Sequence, residues 1–338
     1  MKTILVTGGA GYIGSHTTLE LIKNGYDVVI FDNLEHGHAE IVEKSKTISK
    51  YDGKVIDFIK GDLKNPNDID TIFNKHRKID AVIHFAAYIQ VEESVKNPQK
   101  YYENNVSGSM NLFSAMLKNE VKKIVFSSTA AVYGEPKDLN PIKEDCAKAP
   151  INPYGRSKLM VEQILQDYSR TFGIKSAILR YFNVAGANSD AIIGEWHEPE
   201  THLIPNILRA VNGKIFQLFG DDFETRDGTC VRDYVNVEDL ANAHLLALKY
   251  LELEGISSDC FNIGTNNGNT VKEVFDACEK VLQRKIDRKI CARRTGDPAS
   301  LVACNEKAKN ILKWTPQRSL EDSIRSAYKW QCGFLEKI

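Results

Sequence analysis

The chain begins with a short β-branched run followed at once by a glycine-rich loop, and this pair limits the possible folds more than any other feature. Residues Thr3 to Thr7 predict a strand, Gly8-Gly9-Ala10-Gly11-Tyr12-Ile13-Gly14 follow it, and apolar residues at helical spacing come next. Glycine allows a tight turn and a close backbone approach, and the start of a helix presents amide hydrogens and a positive dipole to a phosphate group. The sequence therefore predicts a βαβ unit that binds the pyrophosphate of a dinucleotide.

A carboxylate follows the second predicted strand at the position that selects the dinucleotide. Asp32 lies about 20 residues beyond the loop, where a carboxylate accepts a hydrogen bond from a ribose 2′-hydroxyl and repels a 2′-phosphate. This spacing favours NAD over NADP. A mononucleotide P-loop would need Gly-Lys-Ser/Thr, whereas Ser15 and His16 follow Gly14, so the phosphate-binding lysine is missing. Asp62, just after the third predicted strand, could face an adenine or could lie in a solvent-exposed turn.

Short β-branched runs alternate with longer amphipathic stretches from residue 3 to about residue 181. The predicted strands are Thr3 to Thr7, Asp27 to Phe31, Val55 to Lys60, Asp80 to Ala86, Lys123 to Ser127 and Ser176 to Arg180. They are nearly all apolar, as is typical of parallel strands that helices cover on both faces. We therefore predict an α/β fold, a Rossmann-like doubly wound parallel sheet followed by a smaller C-terminal substrate-binding α/β lobe.

The regular alternation stops after Asn183, and 338 residues exceed the size at which one hydrophobic core keeps growing. We predict an NAD-binding domain at 1–183 with a returning segment around 228–258, and a mainly substrate-binding domain at 184–338. The second part contains predicted helices near 202–212, at 237–251 and at 271–283, a strand at 261–264, and two helical patterns between 307 and 330.

Net charge, hydropathy and cysteine spacing limit the partners and the cellular compartment that the sequence predicts. A net charge of -1 gives no general attraction to nucleic acid or to an anionic membrane. No apolar run reaches the roughly 20 residues that a membrane helix needs, and the first strand begins too early to leave room for a signal peptide. Seven scattered cysteines without a C-x-x-C spacing indicate a reducing compartment. We expect a soluble cytoplasmic protein.

Tyr154 and Lys158, in the run Tyr154-Gly155-Arg156-Ser157-Lys158, form a candidate acid–base pair. One helical turn separates them, so on a helix both project from the same face and the ammonium can stabilise a phenolate. Free tyrosine ionises near pH ~10, and we expect Lys158 and a bound nicotinamide cation to lower this pKa. With the dinucleotide loop, the pair predicts oxidation of an alcohol. Thr129, at the end of the fifth strand, could relay a hydrogen bond between substrate and Tyr154 or could simply cap the strand.

Several longer runs make the chain resemble the extended short-chain dehydrogenase/reductase family over nearly its whole length. The matching runs are Gly8 to His16, Phe31-Asp32-Asn33, Val82 to Ala87, Tyr101 to Val106, Tyr154 to Glu162, Arg180 to Asn183, Asp227 to Tyr234 and Arg293 to Asp297. Each run alone is weak, but their combination is highly specific.

Within that family, the similarity is to enzymes that invert C4 of a UDP-sugar, and it implies interconversion of UDP-glucose and UDP-galactose without net oxidation. Tyr154 would remove the proton of the sugar 4-hydroxyl while C4 gives a hydride to NAD; the 4-keto sugar would then turn over and take the hydride back on its other face. A homodimer through the helices at 98–118 and 154–172 would suit the family.

The resemblance also assigns contacts. The cofactor contacts are Gly8, Gly11, Tyr12, Ile13, Gly14, Asp32, Asn33, Asp62, Leu63, Phe85, Ala86, Ala87, Asn104, Ser127, Tyr154, Lys158 and Tyr181. The substrate contacts are Thr129, Tyr154, Asn183, His202, Leu203, Gln217, Phe219, Arg232, Arg294 and Asp297. Arg232 and Arg294 are expected on the diphosphate, which suits guanidinium geometry, unless they form surface salt bridges.

Four positions depart from the family pattern. Thr129 replaces a common serine and keeps the hydroxyl, Ile89 replaces a common lysine, and His202 replaces an asparagine that contacts the substrate in some members. Leu301 has an intermediate size where the family tunes room for an N-acetyl group. UDP-N-acetylglucosamine, UDP-glucuronate and UDP-pentoses therefore stay open as substrates.

Three other functions compete with this interpretation. A nucleotide-sugar 4,6-dehydratase would need an acid and a base beside the threonine, but Ala130 and Ala131 follow it. A protein that binds NAD without turnover is possible because a fold does not prove chemistry. A metal hydrolase has weak support, since the pair in His36-Gly37-His38 lacks the H-E-x-x-H context. We expect no metal site.

Overall fold

A parallel sheet is the centre of the computed structural model, which describes residues 2–51, 54–136, 141–294 and 298–335. Within that part of the chain the sheet has seven strands in the order β10-β6-β5-β4-β1-β2-β3. The strands are β1 (Thr3–Thr7), β2 (Asp27–Asp32), β3 (Ile56–Lys60), β4 (Ala81–His84), β5 (Lys123–Thr129), β6 (Lys175–Tyr181) and β10 (Ser258–Ile263). The predicted fold class, with its doubly wound parallel sheet, is confirmed.

Helices cover both faces of this sheet. The helices are α1 (Tyr12–Lys23), α2 (Ala39–Tyr51), α3 (Pro66–Lys75), α4 (Val91–Lys96), α5 (Pro98–Tyr101), α6 (Gly108–Lys118), α7 (Pro153–Phe172), α8 (Leu203–Ala210), α9 (Val237–Tyr250), α10 (Val271–Leu282) and α11 (Leu320–Leu335). Side chains of α1 and α9 share one core with the sheet, and those of α3, α6 and α7 share the core on the other face. Because both faces are buried, the strands are apolar along their length.

The observed strand ends differ slightly from the predicted ones for a local reason. β4 ends at His84, because the N–H groups of both Phe85 and Ala86 donate to the carbonyl of Thr7 and bend the chain out of the ladder. β5 instead continues to Thr129, whose partner across the ladder is Tyr181. The ends of β5 and β6 therefore bring the hydroxyl groups of Thr129 and Tyr181 to the carboxyl edge of the sheet.

Smaller sheets follow in the second half of the chain. Their strands are β7 (Asn183–Ala185), β8 (Phe216–Phe219), β9 (Val231–Asn236), β11 (Gly268–Thr270), β12 (Arg288–Cys291) and β13 (Ser300–Leu301). β9 pairs with β7, β11 and β13, and β8 pairs with β12. Side chains of α8, α10 and α11 form the core beside these strands. The predicted domain bounds stay a prediction, although α9 packs on the main sheet from within the predicted returning segment.

Among the described residues, no helix is both long enough and apolar enough to span a membrane. The seven cysteines are all free thiols.

Candidate active site

The glycine loop is pressed against the sheet edge so closely that side chains would not fit. Gly8 has a φ of +73°, and a Cβ there would lie 2.7 Å from the amide nitrogen of Ala86. A Cβ on Gly14 would lie 2.2 Å from the carbonyl oxygen of Gly8. Gly11 precedes α1 and has no side chain to cap it, and the first turn of α1 contains no Asp or Glu. The first amides of α1 are thus arranged to bind a phosphate, which fits a dinucleotide.

Two further loop residues begin α1. The Tyr12 hydroxyl donates to the carbonyl of Gly186 at 2.6 Å, which ties the loop to the chain after β7. Ile13 packs against the core shared by α1 and α9. Their side chains therefore face protein, and their amides are the groups that a pyrophosphate could contact.

Asp32 ends β2 as a fixed, buried carboxylate with 8% exposure. Its Oδ2 accepts a hydrogen bond from Ala10 N at 3.0 Å, and its Oδ1 accepts one from Leu34 N at 2.9 Å. Burial raises the pKa of Asp32, and these two hydrogen bonds oppose the increase. The carboxylate is therefore held beside the glycine loop, where the ribose contact was predicted.

The other residues predicted near the adenosine lie close together. Asn33 donates from Nδ2 to Oδ2 of Asp62 at 3.2 Å, and Asp62 Oδ1 accepts from Lys64 N at 2.8 Å. Leu63 is buried, and its carbonyl accepts a hydrogen bond from Asn111 at 2.9 Å. Asp62 is thus tied to the end of β2 across the sheet edge.

Residues after β4 and β6 extend the same edge toward the reacting centre. The ring of Phe85 packs 4.7 Å from that of His244, and Tyr181 meets His244 at 5.8 Å. Ala87 follows Phe85 and Ala86 directly. Asn104, in a π-helical stretch over Tyr102–Ser107, is buried and donates to Asn105 at 3.0 Å.

Tyr154 lies in the first turn of α7, facing the end of β5. The helix begins there because Asn152 accepts a hydrogen bond from Gly155 N and Pro153 occupies the first helical position. The Tyr154 hydroxyl is hydrogen-bonded to the side chain of Thr129, and Thr129 Oγ1 also accepts from Ala131 N at 3.1 Å. Thr129 therefore contacts Tyr154 and caps the chain after β5 at the same time, and its relay of a hydrogen bond to a substrate stays a prediction.

Burial raises the pKa of the Tyr154 phenol, and the hydrogen bond with Thr129 opposes this increase. The expected decrease of this pKa toward neutrality is thus not a property of the protein alone. It requires a nearby positive charge, such as that of an oxidised nicotinamide ring.

Lys158 is buried one turn further along α7, with 2% exposure. Its Nζ donates to the carbonyl of Ser127 at 2.8 Å and lies 5.1 Å above the ring of Phe126. Burial lowers the pKa of Lys158 to about 7, while the charge of Glu162 acts in the opposite direction. The Ser127 hydroxyl is hydrogen-bonded to the Tyr181 hydroxyl. Lys158, Ser127 and Tyr181 thus lie together at the candidate reacting centre.

A buried ion pair supports this centre and was missed by the sequence analysis. Glu162 and Arg180, with side-chain exposures of 1% and 2%, are joined by two close contacts of the guanidinium. Glu162 also accepts from the Ser128 hydroxyl, and Arg180 donates to Tyr133 Oη at 2.9 Å. The signal was present, because Glu162 follows Lys158 by four residues and so shares its helix face.

The predicted substrate residues lie on the smaller sheets. Arg232, on β9, is buried and donates from Nη1 to the carbonyls of Val231 at 2.8 Å and Pro298 at 2.9 Å. The guanidinium of Arg294 lies 4.1 Å above the ring of Phe219. Each of the two guanidinium groups is therefore held in place by contacts within the protein.

The remaining substrate residues are more dispersed. Gln217 is exposed on β8, and Asn183 begins β7 opposite Tyr234 of β9. Leu301 pairs with Arg232 in the ladder of β9 and β13. Asp297 lies outside the described residues.

His202 immediately precedes α8, and Leu203 begins that helix. The imidazole Nδ1 of His202 is hydrogen-bonded to Oε1 of Glu195. Although burial lowers the pKa of His202, the Glu195 carboxylate raises it to about 9. His202 is thus engaged by the protein rather than simply presented to a substrate.

His36 and His38, the histidine pair considered for a metal hydrolase, pack against two different aromatic side chains. His36 packs against Tyr88 at 5.7 Å, and His38 stacks on Trp196 at 3.6 Å. Ile89 is exposed.

Known proteins are similar to this chain over nearly its whole length. The sequence model of the NAD dependent epimerase/dehydratase family matches residues 4–264. A UDP-glucose 4-epimerase of Rhizobium meliloti (strain 1021) is 50% identical over 331 residues, which cover 97% of both proteins. The UDP-glucose 4-epimerase of Halalkalibacterium halodurans is 48% identical over 330 residues, covering 97% of this chain and 95% of the relative.

Solved structures agree with the fold. A UDP-glucose 4-epimerase from Stenotrophomonas maltophila, with bound NAD and formylated UDP-arabinopyranose, superposes with a TM-score of 0.95 at 40% identity over 100% of both chains. A UDP-glucose 4-epimerase from Bifidobacterium longum in complex with NAD+ and UDP gives a TM-score of 0.93 at 38% identity, again over 100% of both chains. The similarity therefore includes the main sheet and the smaller sheets.

Proposed function

Because this chain belongs to the NAD dependent epimerase/dehydratase family, we propose that it interconverts UDP-glucose and UDP-galactose with a bound NAD. The observation that carries the proposal is the hydrogen bond between Tyr154 and Thr129 at the sheet edge that also carries the glycine loop. A proton acceptor and a dinucleotide site on the same edge are the parts that reversible oxidation of an alcohol requires.

The glycine loop, the first amides of α1 and Asp32 would hold the NAD. A bound NAD would supply the acceptor, and afterwards the donor, of the hydride at C4 of the sugar. The loop fits this group because Gly8 and Gly14 leave no room for side chains and Gly11 leaves the helix start uncapped. The other predicted cofactor contacts lie along the same edge.

Tyr154, as the phenolate, would accept the proton of the sugar 4-hydroxyl, become the neutral phenol and later return the proton. Thr129, already hydrogen-bonded to Tyr154, can accept or donate a hydrogen bond at the sugar oxygen and so orient the hydroxyl. Lys158 adds positive charge behind Tyr154 to the extent that it is protonated, which a pKa of about 7 makes partial at neutral pH.

The nucleotide part of the substrate would lie along the smaller sheets. Arg232 is fixed by two main-chain carbonyls, and Arg294 is stacked on Phe219. Both side chains are therefore restrained before a ligand binds. A planar guanidinium suits a diphosphate. We propose these two residues as the diphosphate contacts.

Broader sugar specificity is the second candidate. A UDP-Glc/GlcNAc 4-epimerase from Campylobacter jejuni superposes with a TM-score of 0.84 at 40% identity, over 98% of this chain. Leu301 is half-buried and lies beside Arg232 in the ladder, and its intermediate size would leave an N-acetyl group possible. UDP-N-acetylglucosamine is therefore the alternative substrate to test first.

We also propose a cytoplasmic homodimer that acts in galactose metabolism. Met110 on α6 and Met160 on α7 are 43% and 41% exposed, on the two helical regions predicted to pair. Large apolar side chains at such exposure suit burial against a second copy. The free thiols suit a reducing compartment.

The decisive experiment incubates the full chain with UDP-glucose and, in parallel, with UDP-galactose, UDP-N-acetylglucosamine, UDP-glucuronate and a UDP-pentose. The configuration at C4 of each product is read by NMR. We expect UDP-glucose and UDP-galactose to reach the same mixture from either side. A preparation that holds NAD but equilibrates none of these sugars would show a protein that binds NAD without turnover.

A further inference from the structure

A second cluster of side chains lies beside Tyr12, and of its four residues only His202 was predicted to contact the substrate. It consists of two carboxylates and two imidazoles, Glu195, His197, Glu200 and His202, all from the segment that leads into α8. Each side chain offers one donor atom, and these four atoms lie within 4.8 Å of one another. The ring of His197 meets that of Tyr12 at 6.2 Å, so the cluster borders the glycine loop.

The distances within the cluster are close to those of a tetrahedral metal site. His197 Nδ1 lies 3.3 Å from Glu195 Oε1, and Glu200 Oε1 lies 4.0 Å from His197 Nδ1 and 3.9 Å from His202 Nδ1. Bonds of about 2.0–2.2 Å at tetrahedral angles separate ligand atoms by roughly 3.3–3.5 Å. A bound cation would replace the proton between His202 Nδ1 and Glu195 Oε1 and release it to solvent, and small side-chain rotations would then complete the geometry.

An independent observation is that two donor groups of the cluster are buried without satisfaction. The Glu200 side chain is 1% exposed, and neither its Oε2 nor His197 Nδ1 has a hydrogen-bond partner among the described residues. Their nearest opposite charges are Arg209 Nη2, 3.9 Å from Glu200 Oε2, and Glu195 Oε1, 3.3 Å from His197 Nδ1. A buried carboxylate oxygen and a buried imidazole nitrogen left in this way cost free energy, which a bound cation would recover.

The Glu200 carboxylate is also oriented in advance. Its Oε1 accepts hydrogen bonds from Thr201 N at 2.8 Å and His202 N at 2.9 Å. The carbonyl of Glu195 accepts from Trp330 Nε1 at 3.1 Å, which fixes the other end of the segment. Such outer contacts hold metal ligands in place.

We propose that Glu195, His197, Glu200 and His202 bind a divalent transition-metal ion, with Zn²⁺ as the ion that this donor set favours. Two imidazole nitrogens and two carboxylate oxygens suit zinc better than calcium or magnesium. Four protein ligands fill a tetrahedral shell, so the ion is structural rather than catalytic. It fixes the segment that carries His202 and Leu203 against the glycine loop. The inference does not depend on the proposed function.

Zinc binding is measured on the full chain without an affinity tag, after removal of metal by a chelator and dialysis. A chromogenic chelator competes for Zn²⁺ to give affinity and stoichiometry, and the thermal unfolding midpoint is recorded with and without one equivalent of Zn²⁺. We expect one ion per chain and a higher midpoint, since an ion that binds only the native state stabilises it.

Variants locate the ion. His197→Gln and Glu200→Gln are expected to weaken Zn²⁺ binding by about 100-fold or more, because losing a ligand costs at least as much as losing its outer contacts. His36→Gln is the matched control, as His36 is exposed and lies outside the cluster, and it should bind Zn²⁺ as the wild type does.

Substoichiometric binding by the wild type, or equal affinity in His197→Gln, Glu200→Gln and His36→Gln, would overturn the proposal and leave an ion-pair cluster only. Should either ligand variant fail to fold, the wild type decides alone. An unfolding midpoint that one equivalent of Zn²⁺ does not raise counts against the site, whatever the variants do.

Discussion

The ammonium group of Lys158 donates a hydrogen bond to the main-chain carbonyl of Ser127 at 2.8 Å, inside the protein. Burial there lowers the pKa of Lys158 to about 7, so its charge changes near neutral pH. The ammonium that was predicted to stabilise a phenolate is thus a group whose charge the structure makes sensitive to pH.

Replacing this lysine should stabilise the protein in a pH-dependent way. An unfolded lysine titrates near pH ~10.4, so between about pH 7 and that value the unfolded chain binds more protons and stability rises with pH. The cost of burying Lys158 is therefore largest below its folded pKa of about 7. Lys158→Met should raise the free energy of unfolding by about 1–3 kcal/mol near pH ~6, and by little near pH ~10.

Denaturant unfolding at both pH values checks this prediction. Lys118→Met removes an exposed lysine and should change stability by no more than about 0.5 kcal/mol at either pH. An equal effect of Lys158→Met at both pH values would show that the lysine does not titrate near neutrality.

Removing the phenolic oxygen of Tyr154 should abolish turnover without displacing the cofactor. Tyr154→Phe should retain NAD and lose about 10²–10⁴-fold in kcat, because a positioned acid–base group contributes that much. NAD is measured by absorbance after denaturation, and epimerisation by NMR. Tyr168→Phe is the control, since Tyr168 lies on the same helix but packs against Phe113 and Phe172. Unaltered turnover in Tyr154→Phe would refute its role as base.

Asp32 should control the choice between the two dinucleotides. Asp32→Ala removes the charge that would repel a 2′-phosphate, and it is expected to shift the ratio of the Kd values for NADP and NAD by about 10-fold or more toward NADP. It should also weaken retention of NAD, because Ala10 N and Leu34 N lose their acceptor. Asp27→Ala, at the other end of β2, should leave the ratio unchanged. The ribose contact fails if both variants show the same ratio.

The buried pair of Glu162 and Arg180 should be essential to stability as a pair. Glu162→Gln leaves the Arg180 charge buried without its partner and should cost about 3–5 kcal/mol in the free energy of unfolding. The double variant Glu162→Leu/Arg180→Met should recover most of that loss. Glu92→Gln, at a surface pair with Lys96, should cost at most ~0.5 kcal/mol in the same denaturant assay. A similar cost for Glu162→Gln and Glu92→Gln would show that the buried pair is not coupled.

A charge on the proposed dimer surface should produce monomers. Met110→Glu and Met160→Glu place carboxylates on α6 and α7, where burial against a second copy would leave them unpaired. Light scattering should show half the mass of the wild type. Leu253→Glu changes a leucine of similar exposure on a turn beyond α9 and should keep the wild-type mass. A wild type that is already monomeric would contradict the proposed dimer.

Much of the fold followed from local sequence. The alternation of apolar runs with amphipathic stretches predicted six strands of the main sheet, because strands buried on both faces must be apolar along their length. The seventh strand, Ser258–Ile263, was predicted only in part and not assigned to that sheet. Its place depends on a pairing with β6, far away in the chain, that local pattern does not encode.

In the candidate site, too, local spacing predicted some features and not others. Spacing alone put Tyr154 and Lys158 on one helix face and Asp32 at the end of a strand. It did not show that His202 is engaged by Glu195 or that four side chains before α8 converge, although Glu-x-His-x-x-Glu-x-His is visible in the sequence. Convergence depends on the path of the loop, and the spacing fixes no such path.

The sequence by itself determined the parallel sheet, the glycine loop and the position of Tyr154 and Lys158 on one helix, because glycine, apolar periodicity and helical spacing act over a few residues. Only the tertiary structure decided the charge on Lys158, the pairing of Glu162 with Arg180 and the partner of His202. These depend on burial and on contacts between distant parts of the chain, since the cost of a charge is set by the surroundings that the whole fold provides.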